Sequence, residues 1–122
     1  MIRLGTALKT TEQPFHRCLV ISDPLANGGQ VVLVRVTTDD GTWPDRDCIL
    51  SPADWSELEH ASTVAYSTCK FGPAVKALEA AIQRGMFQEI PPPPDATLRK
   101  VILAGHSSPT MSPGAKKWLG KI

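Results

Sequence analysis

"QVVLVRVTT", residues 30–38, is the stretch from which the fold is read. Its run of valines and threonines favours a pleated strand over a helix. Side chains alternate along a strand, so Val34, Val36 and Thr38 share one face and Arg35 and Thr37 the other. If the valines face a core, Arg35 and Thr37 face outward. Immediately before it, "LANGGQ" (25–30) holds Asn27-Gly28-Gly29, residues that tolerate positive φ and predict a hairpin turn. Further upstream, "CLVIS" (18–22) reads as a buried strand running out in Ser-Asp-Pro, a turn signal. His16 and Arg17 stand at its mouth.

Shorter strand candidates flank this pair. They are "TALKT" (6–10), "DCIL" (47–50) and "TVAYSTCK" (63–70), with "DDGTWPDRD" (39–47) as a polar loop. No helix long enough for a parallel crossover separates them, which predicts an antiparallel meander or barrel. Helical patterns appear as inserts and at the end. "SPADWSEL" (51–58) offers Ser51 as N-cap, Pro52 at the first helical position and Asp54 as a capping-box acid. "GPAVKALEAAIQRG" (72–85) spaces Val75, Leu78 and Ile82 helically and stops at Gly85. "PPPP" (91–94) is a stiff extended spacer. "DATLRKVILAG" (95–105) restarts a helix with Asp95 as cap and Leu98, Val101 and Ile102 on one face. "SPGAKKWLGKI" (112–122) repeats the Ser-Pro start at Ser112 and Pro113, with Trp118, Leu119 and Ile122 as apolar members.

The expected organisation is one domain over 1–122: a mainly β barrel with inserted helices over 1–85, then a helical tail over 91–122 after the polyproline spacer. So short a tail holds no core of its own, so it packs back on the barrel or docks on a partner.

Composition narrows the function classes. With 42% hydrophobic residues, 20% charged and a net charge of +1, the chain is neither a disordered tail nor a strongly basic nucleic-acid coat. A local basic patch remains compatible with RNA. Cys18, Cys48 and Cys69 lack the close pairs of a zinc motif and read as reduced core thiols, pointing to the cytoplasm. No apolar run has the length of a membrane span, and "MIRLGTALKT" has no signal-like apolar stretch. No cofactor motif or metal-ligand cluster stands out, and Asp39-Asp40-Gly41 reads as a turn, not a magnesium site.

Four blocks carry a resemblance: "HRCLVISDP" (16–24), "VRVTT" (34–38), "DRDCIL" (45–50) and "HASTVAY" (60–66). Together they resemble the MazF/PemK-like toxin family of type II toxin–antitoxin systems, and in particular a less characterised PemK-like branch. The likeness spans about residues 4–70. It implies a small antiparallel SH3-like barrel with appended helices, working as a homodimer with an antitoxin partner. It also implies a toxin-like endoribonuclease acting on single-stranded RNA without metal. On this correspondence Arg17 is the phosphate arginine and Thr37 its threonine partner, with Thr38 beside it. Cys18 stands where the well-known toxins carry a proline.

Such chemistry needs a base for the 2′-hydroxyl, an acid for the leaving oxygen and a cation for the phosphorane. His16 and His60 titrate in the right range for proton transfer. Arg17 suits a phosphate clamp, Arg35 a second phosphate contact, and Thr37 a hydrogen bond to a phosphate oxygen. Trp43 suits base stacking, and Tyr66 follows His60 by six residues. Each also has a structural reading. Arg17 is a strand-edge charge, His16 a turn residue and His60 the end of a helix. Thr37 and Thr38 are ordinary strand residues, Trp43 a cover on the barrel mouth and Tyr66 a core residue. The catalytic reading expects His16, Arg17, Thr37 and Thr38 to meet on one concave surface. The competing readings are a non-catalytic barrel that binds nucleic acid or a peptide, and a purely structural module. Self-association is expected through the tail's Leu98, Val101, Ile102, Trp118 and Leu119.

Overall fold

The structure, a computed structural model, describes residues 1–119. The quoted valine-rich stretch is the long strand β3, Gln30–Thr38. It lies between β2 (Arg17–Val20) and β5 (Ser62–Ala74) in a six-stranded sheet. β4 (Ile49–Leu50) forms one edge; β1 (Ala7–Thr10) and β6 (Phe87–Ile90) complete the other side. The order is β4-β5-β3-β2-β1-β6, every pairing is antiparallel, and the sheet curls into a half-barrel. β6 has no counterpart in the sequence reading. Its four residues lack alternation, and only pairing with β1 makes them a strand.

The Ser-Asp-Pro and Asn-Gly-Gly signals fall in one longer β2–β3 connection. Asp23 Oδ1 accepts the Leu25 N–H (2.9 Å), and Gly28 and Gly29 take φ of +63° and +82°. Such angles suit residues without a Cβ.

The sheet is apolar on both faces. On the core face Leu19, Val32, Val34 and Val36 join Tyr66, Trp55 and Leu50 in the main cluster. The tail closes this cluster with α2 (Asp95–Ser107) and α3 (Pro113–Lys116), through Val101, Ile102, Met111, Ala115 and Leu119. Val101, Ile102 and Leu119 are buried in the chain's own core, so they are not spare surface for self-association. Trp118 is 36% exposed and stacks on Phe71 at 5.0 Å. Ile122 lies outside the described residues. On the outer face α1 (Val75–Gln83) lays Leu78, with Val75 and Ile82 beside it, over Leu8, Val20 and Val31.

Two expected helix features differ. Residues 51–58 form turns, not a helix. Ser51 and Asp54 do make the reciprocal box: Asp54 Oδ2 accepts the Ser51 N–H (2.8 Å) and Ser51 Oγ the Ala53 N–H (3.2 Å). Instead of propagating, the segment drives Trp55 and Leu58 into the core. Trp55 Nε1 then donates to Pro91 O (3.0 Å) and Asp54 O accepts from Thr97 (2.7 Å). Helix nucleation in so short a segment loses to these tertiary bonds. In α2 the N-cap position is Pro94, with Asp95 inside the first turn, where its charge favours the helix dipole. Ser112 caps α3, accepting from the Ala115 N–H (3.2 Å).

Candidate functional site

α1 covers only part of the outer face. Beyond it, toward the end of β2 where the chain enters, lies a cleft of about 150 Å³. His16, Cys18, Arg35 and Lys70 line it together with Thr10 and Phe87. Strand register explains the gathering. Cys18 stands opposite both Arg35 and Leu8, so these side chains emerge on one face, and His16 joins them by alternation. Lys70 arrives differently. The β3–β5 ladder slips between Arg35↔Ala65 and Leu33↔Lys70, two residues of β3 against five of β5. That irregularity re-aims Thr68 and Lys70 into the cleft, a common use of a bulge. Nothing local in "YSTCK" signals it, which is why these two residues escape a reading of the sequence.

His16 is held from both sides of its peptide. Its N–H donates to Thr10 Oγ1 (2.8 Å) and its carbonyl accepts from the Thr10 N–H (2.9 Å). Burial, and then the Arg35 charge, hold its imidazole below the ordinary value of 6.5. At neutral pH the ring is therefore uncharged and able to take a proton. Burial pushes the Cys18 thiol up, more than Arg35 and Lys70 draw it down, so it stays protonated and is no nucleophile.

Arg17 does not share this face. It pairs with Val36 and Lys9, whose side chains belong to the core side of the sheet. It sits at the rim of that side, half-buried, its Nε without a hydrogen-bond partner. Thr37 belongs by alternation to the Arg35 face, while Thr38 is exposed and pairs with Ser62 on the other. The expected single surface of His16, Arg17, Thr37 and Thr38 is therefore split. His16, Arg35 and Thr37 are on one face, Arg17 and Thr38 on the opposite one. The strand ends do meet as expected, but alternation separates neighbours along each strand.

The remaining candidates lie elsewhere. Tyr66 is buried, its hydroxyl donating to Val101 O (2.5 Å), and burial raises its pKa far above the ordinary phenol value. It ties α2 to the sheet and is out of reach of a substrate. His60 is exposed in the turn before β5, and its carbonyl accepts from Ser62 Oγ (2.9 Å). Trp43 is half-buried in the 39–47 loop and does not line the cleft. That loop is braced by an Asp39–Arg46 ion pair and by Asp40 accepting from the Thr42 N–H (2.9 Å), consistent with a turn. Asp45 is fully buried at its end. It accepts from the Ser67 N–H (2.9 Å), Ser67 Oγ and Thr110 Oγ1, joining loop, β5 and tail. His106 is in the last turn of α2. Among the described residues no group of three or more His, Cys, Asp and Glu comes together as a metal site. Among them, too, no helix is long and apolar enough to cross a membrane.

This antiparallel half-barrel with a few short helices has a MazF/PemK-like toxin fold. Solved structures of MazE–MazF from Deinococcus radiodurans superpose on it. The Form-II structure gives a TM-score of 0.55 at 17% identity, over 91% of this chain and 97% of the other. The Form-III structure gives 0.54 at 17% identity, over 91% and 98%. No protein-family model matches the chain, and no curated protein sequence matches it.

Proposed function

We propose that the chain is a toxin-like endoribonuclease cleaving single-stranded RNA, with its reaction centre in the His16–Arg35–Lys70 cleft and not at Arg17. One observation carries this reading: a histidine with its main chain fixed on both sides shares a cleft with two cations, on a sheet of MazF-like fold. Arg35 and Lys70 hold the scissile phosphate, and Thr37 adds a hydrogen bond at the strand end. His16 takes the proton of the 2′-hydroxyl. The 2′-oxygen then bonds to phosphorus, the P–O5′ bond breaks, and the departing O5′ takes a proton from the solvent-linked Lys70 ammonium. The products are a 2′,3′-cyclic phosphate and a 5′-hydroxyl. The two cations meet the negative charge that develops on the phosphorane. No metal enters these steps.

By analogy with the MazE–MazF complexes, the protein works in the cytoplasm as a homodimer held in check by an antitoxin. Sedimentation at micromolar concentration should show the dimer; a clean monomer contradicts that part. The enzymatic part is tested with a fluorogenic single-stranded RNA, comparing wild type, His16→Ala and Arg35→Ala, with and without EDTA. Cleavage that EDTA spares and both substitutions lower by roughly a hundredfold or more supports it. Equal rates in all three proteins overturn it in favour of a non-catalytic barrel that binds nucleic acid or a protein partner.

A further inference from the structure

The cleft does not end at His16. Thr10 and His16 also line a second, larger cleft of about 420 Å³, whose walls include Thr11, Glu12, Arg84 and Met86. We propose that this second cleft is a nucleobase subsite that selects guanine next to the scissile phosphate, with Glu12 and Arg84 as its specificity-determining residues. The proposal rests on the ribonuclease reading of the first cleft and extends it.

Three observations support it. First, the subsite is built from two connections locked together. Thr11 Oγ1 donates to Gly85 O (2.5 Å) and the Thr11 N–H to Met86 O (3.2 Å), fastening the β1–β2 loop to the α1–β6 turn. Arg84 is itself the C-cap of α1, its N–H bonded to Ala80 O (3.0 Å). A cleft whose walls are fixed before binding loses little on ordering a ligand. Its volume falls in the range of small-molecule sites, about 300–1,000 Å³.

Second, a carboxylate and a guanidinium line the same space, and neither makes an ion pair among the described residues. A ligand presenting donors on one edge and acceptors on another satisfies both. Guanine does so. Its N1–H and N2–H₂ are adjacent donors that match the two oxygens of Glu12, and its O6 and N7 are acceptors that match Arg84. Adenine and cytosine set an acceptor beside their single amino group, and uracil sets its one N–H between two carbonyls. Each turns a lone pair toward the carboxylate. Met86, 57% exposed, supplies a soft apolar surface for the face of the base.

Third, the two clefts share His16. A nucleotide whose base fills the second cleft therefore has its sugar beside the proposed base catalyst and its phosphate between Arg35 and Lys70.

The test uses short fluorescein-labelled 2′-fluoro oligouridylates, which cannot be cleaved, carrying one central G, A, C or U. Fluorescence anisotropy should show the G oligomer binding roughly tenfold or more tighter than the others, the scale of one bidentate base contact. Glu12→Ala and Arg84→Ala should each bring that ratio close to one. Both side chains are exposed, and an unchanged melting temperature verifies the fold of each variant. Equal binding of all four oligomers, or a guanine preference that survives both substitutions, overturns the subsite and leaves the ribonuclease reading standing. Failure of the wild type to bind any of them overturns that reading and the subsite with it.

Discussion

Arg17 pairs with Val36, one residue short of Thr37, and that single step turns the arginine and the threonine to opposite faces of the sheet. Arg35, two residues before Thr37 on the same strand, takes the place beside His16 that the resemblance assigns to Arg17. Arg35→Ala should therefore lower cleavage of single-stranded RNA by roughly a hundred- to a thousandfold, the cost of losing one donor to a transition-state oxyanion. Arg17→Ala should lower it much less. Single-turnover rates decide between them, and a larger loss from Arg17→Ala would return the reaction centre to the other face.

His16 sets the pH dependence. Its pKa is below 6.5, first through burial and then through Arg35, so the acid limb of kcat/KM should lie below that pH, with a plateau above. Arg35→Ala removes the second cause and leaves the first, so the limb of the residual activity should move upward without passing 6.5. The same shift bears on folding. A histidine whose folded pKa is depressed contributes stability above its unfolded pKa and loses it as the pH falls toward the folded value. His16→Gln should flatten the acid side of a stability profile below pH 6.5. An unchanged profile, in activity and in stability, would show that His16 does not titrate in this window.

Tyr66 belongs to stability and not to substrate binding. Tyr66→Phe removes the hydroxyl bonded to Val101 O and keeps the ring in the core. Val101 O stays in the hydrogen-bond ladder of α2, so the loss should be that of one buried hydrogen bond, about 0.5–1.5 kcal/mol. Chemical denaturation should show that loss, with RNA affinity unchanged. A drop in affinity at full stability would mean that the residue reaches the ligand.

Proline at position 18 should not be the harmless change that the resemblance suggests. β2 is an interior strand between β1 and β3, so no N–H along it is spare. Cys18 pairs with Leu8 on one side and Arg35 on the other. Cys18→Pro should destabilise the protein by at least about 1–3 kcal/mol, the cost of leaving the partner of a buried ladder N–H unsatisfied. Thermal unfolding checks it, and a melting temperature equal to wild type would show that the strand adapts.

Much of the architecture was legible before the structure. β-branched density marks β3, Gly85 marks the end of α1, and Ser112-Pro113 marks the start of α3, because each depends on residues a few positions apart. The misses share a cause. The 51–58 segment has sound N-terminal helix chemistry, but Trp55 and Leu58 gain more by entering the core than a short helix gains by propagating. β6 exists only because β1 offers it an edge. The tail's apolar residues suggested a partner, and the partner they found is the open side of their own sheet.

The sequence by itself determined most of the strands, their antiparallel sense and the two-faced character of β3, since alternation and turn chemistry act within one strand or one connection. It also narrowed the charged candidates to a short set at the ends of β2 and β3. Tertiary structure alone decided which of those charges share a face. Register depends on pairing between segments far apart in the chain, and a step of one residue exchanges the faces. Hence Arg35 and not Arg17 stands beside His16. Lys70 joins them only because the β3–β5 ladder slips, and Arg84 comes near only because Thr11 fastens one connection to another.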